Sequence, residues 1–262
     1  MIPRGYIQEW AKKVPWQEPR QIEQDLIISA AIINIYANPI LKECLAFRGG
    51  TALNKLFFSE PLRYSEDIDL VQIKSSPIGK IIDECRDALD NWLGTPKRDI
   101  SEGRVTLTYK VLSDDGFPIK LKIEINSREH FAVMGYQDIE FACESAYLTK
   151  TSMITTYFIE ELLGTKLRAL FQRRKGRDLF DLFIALEKFK NLDPYKVIQC
   201  FNAYMLHSNT SVSQTRFIEN LTLKLANNEF RKDIIPLLPR SHKFFDPDSA
   251  FLVIKDRFLS KL

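Results

Sequence analysis

From about Phe158 to the C-terminus the apolar residues recur every three or four positions, and no stretch there alternates with a period of two. Helices are expected near 158–173, 176–189, 194–206, 211–227 and 247–260. The first half is patterned differently. Pro118 to Asn126 alternates strictly, with Ile119, Leu121, Ile123 and Ile125 pointing one way and Lys120, Lys122, Glu124 and Asn126 the other. A chain that carries strands in one half and only helices in the other fits an α+β fold. The expectation is a mixed β-sheet core with N-terminal helices over residues 1–150, followed by a helical domain over 151–262.

Within the core, helices are expected over 5–14 and 20–38, the second with Ile22, Leu26, Ala30, Ile33 and Ala37 at helical spacing. Cys44 to Phe47 reads as a short strand that runs into Gly49-Gly50, and Thr51 to Phe58 resumes as a helix. Asp67 to Ile73 alternates as a strand, and Pro77 to Leu93 reads as a helix with proline in its first turn. Arg104 to Leu112 and Pro118 to Asn126 are joined by Ser113-Asp114-Asp115-Gly116-Phe117, which has hairpin-turn composition.

Hydrophobic residues make up 45% of the chain and charged residues 27%, which excludes a disordered class. The four cysteines, Cys44, Cys85, Cys143 and Cys200, form no CxxC pair, and the three histidines show no zinc spacing. Reduced core thiols are therefore expected. No apolar run reaches membrane-spanning length, and the N-terminus lacks the apolar stretch of a signal peptide, so a cytoplasmic protein without membrane contact is expected. The net charge of +3 does not by itself announce a nucleic-acid partner. The charge is uneven, however: Lys166, Arg168, Arg173, Arg174, Lys175 and Arg177 fall close together.

Asp67 and Asp69 stand two apart on a strand, so their carboxylates share a face. At ~4 Å and an effective dielectric of ~20 they would repel by roughly 4 kcal/mol, a repulsion that a divalent cation turns into attraction. Oxygen ligands suit Mg²⁺, which takes one or two protein carboxylates and fills its octahedron with water and triphosphate oxygens. Glu124, on the matching face of another strand, is a candidate third carboxylate for positioning or deprotonating an attacking hydroxyl. A DxD alone carries little information and reads more readily as solvated edge-strand residues. The paired glycines add weight, since Gly49-Gly50 between a strand and a helix lets backbone amides approach phosphates at a helix N-terminus. Thr51 is placed to cap that helix or touch a phosphate.

Phe47-Arg48-Gly49-Gly50-Thr51-Ala52-Leu53-Asn54-Lys55, followed by Arg63-Tyr64-Ser65-Glu66-Asp67-Ile68-Asp69-Leu70, resembles the AbiEii family. Its members are nucleotidyltransferase-like toxins of abortive-infection and type IV toxin–antitoxin systems, with a polymerase-beta-like core. Lys120-Leu121-Lys122-Ile123-Glu124-Ile125 resembles that family's third-carboxylate strand. Lys166-Leu167-Arg168-Ala169-Leu170 and Arg177-Asp178-Leu179-Phe180-Asp181-Leu182 resemble its two C-terminal motifs. The resemblance implies that Gly49, Gly50 and Thr51 hold phosphate, that Asp67 and Asp69 hold Mg²⁺, that Lys166 holds the triphosphate, and that Asp178 is essential in the helical domain. Ser65 would contact the nucleotide or serve the turn. The implied reaction uses a nucleoside triphosphate as substrate and RNA, at the 3′ acceptor end of tRNA, as acceptor, with an antitoxin protein as partner.

Read without the family, Lys166 beside Leu167, Leu170 and Phe171 is a lysine on the margin of an apolar stripe, aimed at a cleft. Asp178 and Asp181 share a helix face, which suits capping and ion pairing as well as chemistry. Arg173-Arg174-Lys175 suits a solvated corner or an RNA-phosphate contact. The same residues admit transfer to a small molecule or a protein hydroxyl, or a nucleotide-binding regulator without turnover. A small-molecule enzyme would want an enclosed pocket where an RNA enzyme wants a basic groove. His130 reads as a surface or strand-end residue, and Phe244-Phe245 as packing for the last helix.

Overall fold

The computed structural model describes residues 2–239 and 245–262. It divides into two compact units, Met1–Tyr157 and Phe158–Leu262.

The first unit carries helices α1 (Arg4–Trp10), α2 (Pro19–Ala37), α3 (Pro39–Cys44), α4 (Gly49–Ala52) and α5 (Ile78–Leu93). Its strands are β1 (Leu45–Arg48), β2 (Asp67–Gln72), β3 (Lys97–Ser101), β4 (Arg104–Leu112), β5 (Pro118–Asn126), β6 (Tyr136–Glu144) and β7 (Thr149–Tyr157). They form one mixed sheet in the order β3-β4-β5-β2-β1-β7-β6. β2 runs antiparallel to β1 and parallel to β5, and β1 is parallel to β7. The alternation along β5 does what alternation should. Ile119, Leu121, Ile123 and Ile125 are buried, while Lys120 is exposed and Lys122, Glu124 and Asn126 are half-buried. The buried face meets α2, whose Leu26, Ile28, Ala31, Ile32, Ile33 and Ile35 are all fully enclosed.

Three strands, β3, β6 and β7, lie where no strand is expected from apolar alternation. β3 is an edge strand exposed at every position, and β6, the other edge, keeps Asp138, Glu140 and Glu144 toward solvent. Edge strands carry charge because an apolar edge would pair with other chains, and charge removes the signature by which a strand is read. β7 has threonine at Thr149, Thr151, Thr155 and Thr156 and carries the first unit past residue 150 to Tyr157. The long helix expected over 20–38 closes at Ala37. There Asn38 starts α3 by accepting from the Ile40 and Leu41 amides at 2.9 and 3.2 Å, with Pro39 at the first helical position.

The second unit is helical: α6 (Ile159–Gln172), α7 (Gly176–Lys188), α8 (Pro194–His207), α9 (Gln214–Leu225), α10 (Asn228–Lys232) and α11 (Pro247–Arg257). Leu163, Leu167, Leu170, Phe201, Phe217, Leu221 and Phe258 are fully enclosed and form its core. α6 and α8 cross closely at Gly164, where a Cβ would stand 2.7 Å from that of Cys200. Phe245 packs edge-on to Phe180 with centroids 5.2 Å apart; Phe244 lies outside the described residues. Among the described residues no helix is long and apolar enough to cross a membrane. Cys85, Cys143 and Cys200 are buried thiols, and Cys44 is half-buried.

Candidate active site

β1 ends in Arg48, and the chain turns into α4 at Gly49, whose φ of +83° lies in the left-handed region that a side chain disfavours. A second constraint falls on the same residue. A Cβ on Gly49 would stand 2.2 Å from Oδ2 of Asp69, so the carboxylate of Asp69 occupies the space that the missing side chain leaves. The turn and the acidic strand are therefore fitted to one another. Gly49→Ala is expected to displace Asp69, to destabilise the first unit by about 1–3 kcal/mol, and to lower nucleotidyl transfer at least tenfold. Thermal melts and a transfer assay check this, and a variant with parent-like activity would separate the turn from the site.

Gly50 and Thr51 follow in the first turn of α4. Thr51 is 2% exposed, and its hydroxyl is fully engaged inside the protein: it donates to the Asp67 carbonyl and lies 2.7 Å from the Ser65 hydroxyl. These bonds clamp the glycine turn to the loop that enters β2. The Thr51 hydroxyl does not cap α4, whose N-cap residue is Arg48. Asn54, one turn on, donates to the Gly50 carbonyl at 2.9 Å.

The register of the sheet collects the remaining groups. Asp69 is level with Arg48 on β1 and with Glu124 on β5, and Asp67 is level with Lys122. Asp67, Asp69 and Glu124 thus share the polar face of adjacent strands. Burial, and then the charges of Asp69 and Glu124, push the Asp67 carboxyl up to about 6, with Lys122 opposing them. Glu124 is contacted by Lys122 and lies 3.7 Å from the Arg104 guanidinium. That contact holds the Lys122 ammonium above its ordinary range. Arg48 is half-buried beside Asp69 and pairs with Glu129 at 2.6 Å; burial alone would lower its guanidinium, but Glu129 raises it overall.

No group of three or more acidic, histidine or cysteine side chains is poised around a common metal position among the described residues. Two carboxylates suffice for a cation that fills most of its shell with water and phosphate oxygens. Burial first and then the Asp69 charge raise the Asp67 carboxyl, and a cation offsets both by giving the half-buried carboxylates a charged partner, so the donor set fits Mg²⁺.

Lys166 and Asp178 belong to the helical unit, where they bond to each other. The Lys166 ammonium is 3.1 Å from Asp178 and 2.8 Å from Asp181, and all three side chains are buried. The Arg173 guanidinium forks onto Asp178 at 2.7 and 2.8 Å. Burial alone would raise the Asp178 carboxyl, but Lys166 and Arg173 outweigh it and hold the group well below the usual carboxylate range. The basic run is thereby partly spent internally: Arg173 on Asp178, and Lys175 and Arg177 on Asp233 at 3.4 and 3.9 Å. His130 is half-buried in the loop that follows β5, 2.9 Å from the Gln72 carbonyl.

Sequence reasoning overlooked Lys122, Arg104 and Arg48. The strand pattern already placed Lys122 on the face of Glu124, which was the available signal. Arg48 and Arg104 meet the site only through strand pairing, which one sequence does not display.

Among curated protein sequences none matches this chain. Solved structures share its fold, among them the following. MenT4, a nucleotidyltransferase toxin from Mycobacterium tuberculosis, superposes with a TM-score of 0.71 at 16% identity, covering 100% of this chain and 91% of that one. JHP933 from Helicobacter pylori superposes with a TM-score of 0.58 at 16% identity, covering 94% of this chain and 95% of that one. Residues 34–254 match the family described as nucleotidyl transferase AbiEii toxin, type IV TA system. With the glycine turn and the acidic strand inside that match, the chain belongs to the AbiEii nucleotidyltransferase toxin family.

Proposed function

We propose that the protein transfers a nucleotidyl group from a nucleoside triphosphate to RNA, at the 3′ acceptor end of tRNA, and so blocks aminoacylation and translation in the cytoplasm until an antitoxin neutralises it. The observation that carries this reading is the seating of the Asp69 carboxylate against Gly49, with Asp67 beside it on β2 and Glu124 level with it on β5. In the reaction the acceptor hydroxyl oxygen bonds to the α-phosphorus, the bond to the β-phosphate oxygen breaks, and pyrophosphate leaves. The amides of the glycine turn face the triphosphate and accommodate its charge. Asp67 and Asp69 would hold Mg²⁺, which supplies charge neutralisation on the phosphate oxygens. Glu124 receives or orients the hydroxyl proton, with Lys122 and Arg104 holding the carboxylate in place. Within the helical unit Lys166 and Asp178 act as a buried pair, and family membership implies the nucleoside triphosphate and a cognate antitoxin.

The test is to incubate purified protein with Mg²⁺, total RNA and each labelled nucleoside triphosphate in turn. Label should enter an RNA of tRNA size with a preferred nucleotide, and chelation of the metal should abolish it. Label in a small molecule or a protein, with none in RNA, would overturn the acceptor assignment and keep the transferase.

A further inference from the structure

On the polar face of the sheet the acidic row is followed by basic ones. The first row across the strands reads Arg48, Asp69, Glu124, Thr106, Asp99 from β1 to β3. The next reads Asp67, Lys122, Thr108, Lys97, and the third pairs Lys120 directly with Lys110. Lys97, Lys110 and Lys120 are exposed, and their ammonium groups have no ion-pair partner among the described residues. Like charges placed directly opposite on paired strands are destabilising unless something between them is anionic. Here no acidic side chain intervenes in the two basic rows apart from Asp67 at their inner end. Neighbouring cations lie ~7 Å apart along a strand and strands ~5 Å apart across the sheet, which makes a continuous strip. A cleft of about 520 Å³, lined by Arg20, Glu66, Asp67, Thr108, Lys120 and Lys122, joins the strip to Asp67.

We propose that this face of β3, β4 and β5 is the track along which the phosphate backbone of the acceptor RNA reaches Asp67 and Glu124. It rests on RNA being the acceptor. The order of the sheet gives the track a direction: β1 with its glycine turn flanks β2 on one side, and β5, β4 and β3 extend from the other. The triphosphate and the acceptor therefore approach the acidic pair from opposite sides, as in-line displacement at phosphorus requires. The strip offers ammonium groups and threonine hydroxyls, which grip backbone charge. Negative charge along the occupant favours a nucleic acid over a neutral acceptor, for which these unpaired lysines would be a liability.

The experiment compares the full-length parent with a Lys97→Ala, Lys110→Ala, Lys120→Ala variant, which touches none of the catalytic groups and only exposed side chains. RNA affinity is measured over a salt series, together with KM for RNA, KM for the nucleoside triphosphate and kcat. The salt slope of RNA binding should fall by about 2–3 units, since each lost phosphate contact removes about 0.7–0.9. KM for RNA should rise tenfold or more, while kcat and the KM for nucleotide stay near parent values. A parent that labels RNA, with a variant whose slope and KM for RNA are unchanged, would overturn the track and leave the acceptor assignment standing. A variant that loses affinity for the purified antitoxin but not for RNA would make the strip a protein interface and overturn the track as well. A parent that neither binds nor labels RNA would overturn both the acceptor assignment and the track.

Discussion

Asp69→Asn is expected to lower nucleotidyl transfer about a hundredfold or more, with the fold intact. Asparagine has the shape of aspartate, so it fits against Gly49 and keeps the turn closed. What it removes is one negative charge and one strong oxygen donor from the pair that would hold the cation. The parent's Asp67 carboxyl is pushed up to about 6, first by burial and then by Asp69. A raised carboxyl contributes stability that is fully present below the ordinary carboxylate range and is lost as pH rises through about 6. The metal-free parent should therefore weaken across that window on account of Asp67. Asp69→Asn should flatten this dependence and melt no lower than the parent at neutral pH. Added Mg²⁺ should raise the parent's melting temperature and leave that of the variant nearly unmoved, since only a ligand that binds the folded state shifts it. Transfer by the variant at near the parent rate would refute the acidic pair as the metal site.

The parts of the site that could be read in the sequence are those that local geometry dictates. Two aspartates at a spacing of two must share a strand face, and two glycines between a strand and a helix must make a tight turn, so β2 and the start of α4 stood out before any packing was known. The same holds for β5, whose apolar and charged residues separate cleanly. What remained hidden depends on pairing between distant segments. Nothing local says that Glu124 stands level with Asp69, that Lys122 leans onto Glu124, or that Arg104 faces them from β4. The edge strands β3 and β6 were hidden for a different reason: an edge is kept charged, and charge erases alternation. Lys166 shows the limit from the other direction. Its place beside an apolar stripe was legible and suggested a cleft, but a lysine can also turn inward when carboxylates await it, and Asp178 and Asp181 lie on a different helix. The contacts of Thr51 with Asp67 and Ser65 likewise depend on packing between segments that one sequence does not display.

Lys166→Ala should destabilise the protein by about 3–5 kcal/mol, the usual consequence of removing one partner from a buried ion pair. The loss is large because of what stays behind. Asp178 is 0% and Asp181 1% exposed, and without the ammonium between them Asp178 keeps its Arg173 pair while both buried carboxylates lose the cation they share. The pH dependence should also reverse. In the parent the depressed Asp178 carboxyl contributes stability that is present above the usual carboxylate range and lost as pH falls through its lowered value. In the variant one carboxylate of the pair is raised instead, so stability should increase as the solution is acidified toward pH 5. Urea melts of both proteins at pH 5 and pH 7.5 check the reversal, and parent-like stability at both values would show that the cluster is not a coupled unit. Lys166→Arg separates structure from chemistry. A guanidinium keeps the charge and can engage both carboxylates, so it should restore most of the lost stability, less the strain of its larger head. If Lys166 also holds triphosphate, the arginine variant stays poor in transfer with a raised KM for nucleotide, because a planar fork presents its donors differently from a compact ammonium. If its role is confined to balancing Asp178 and Asp181, transfer returns along with the fold.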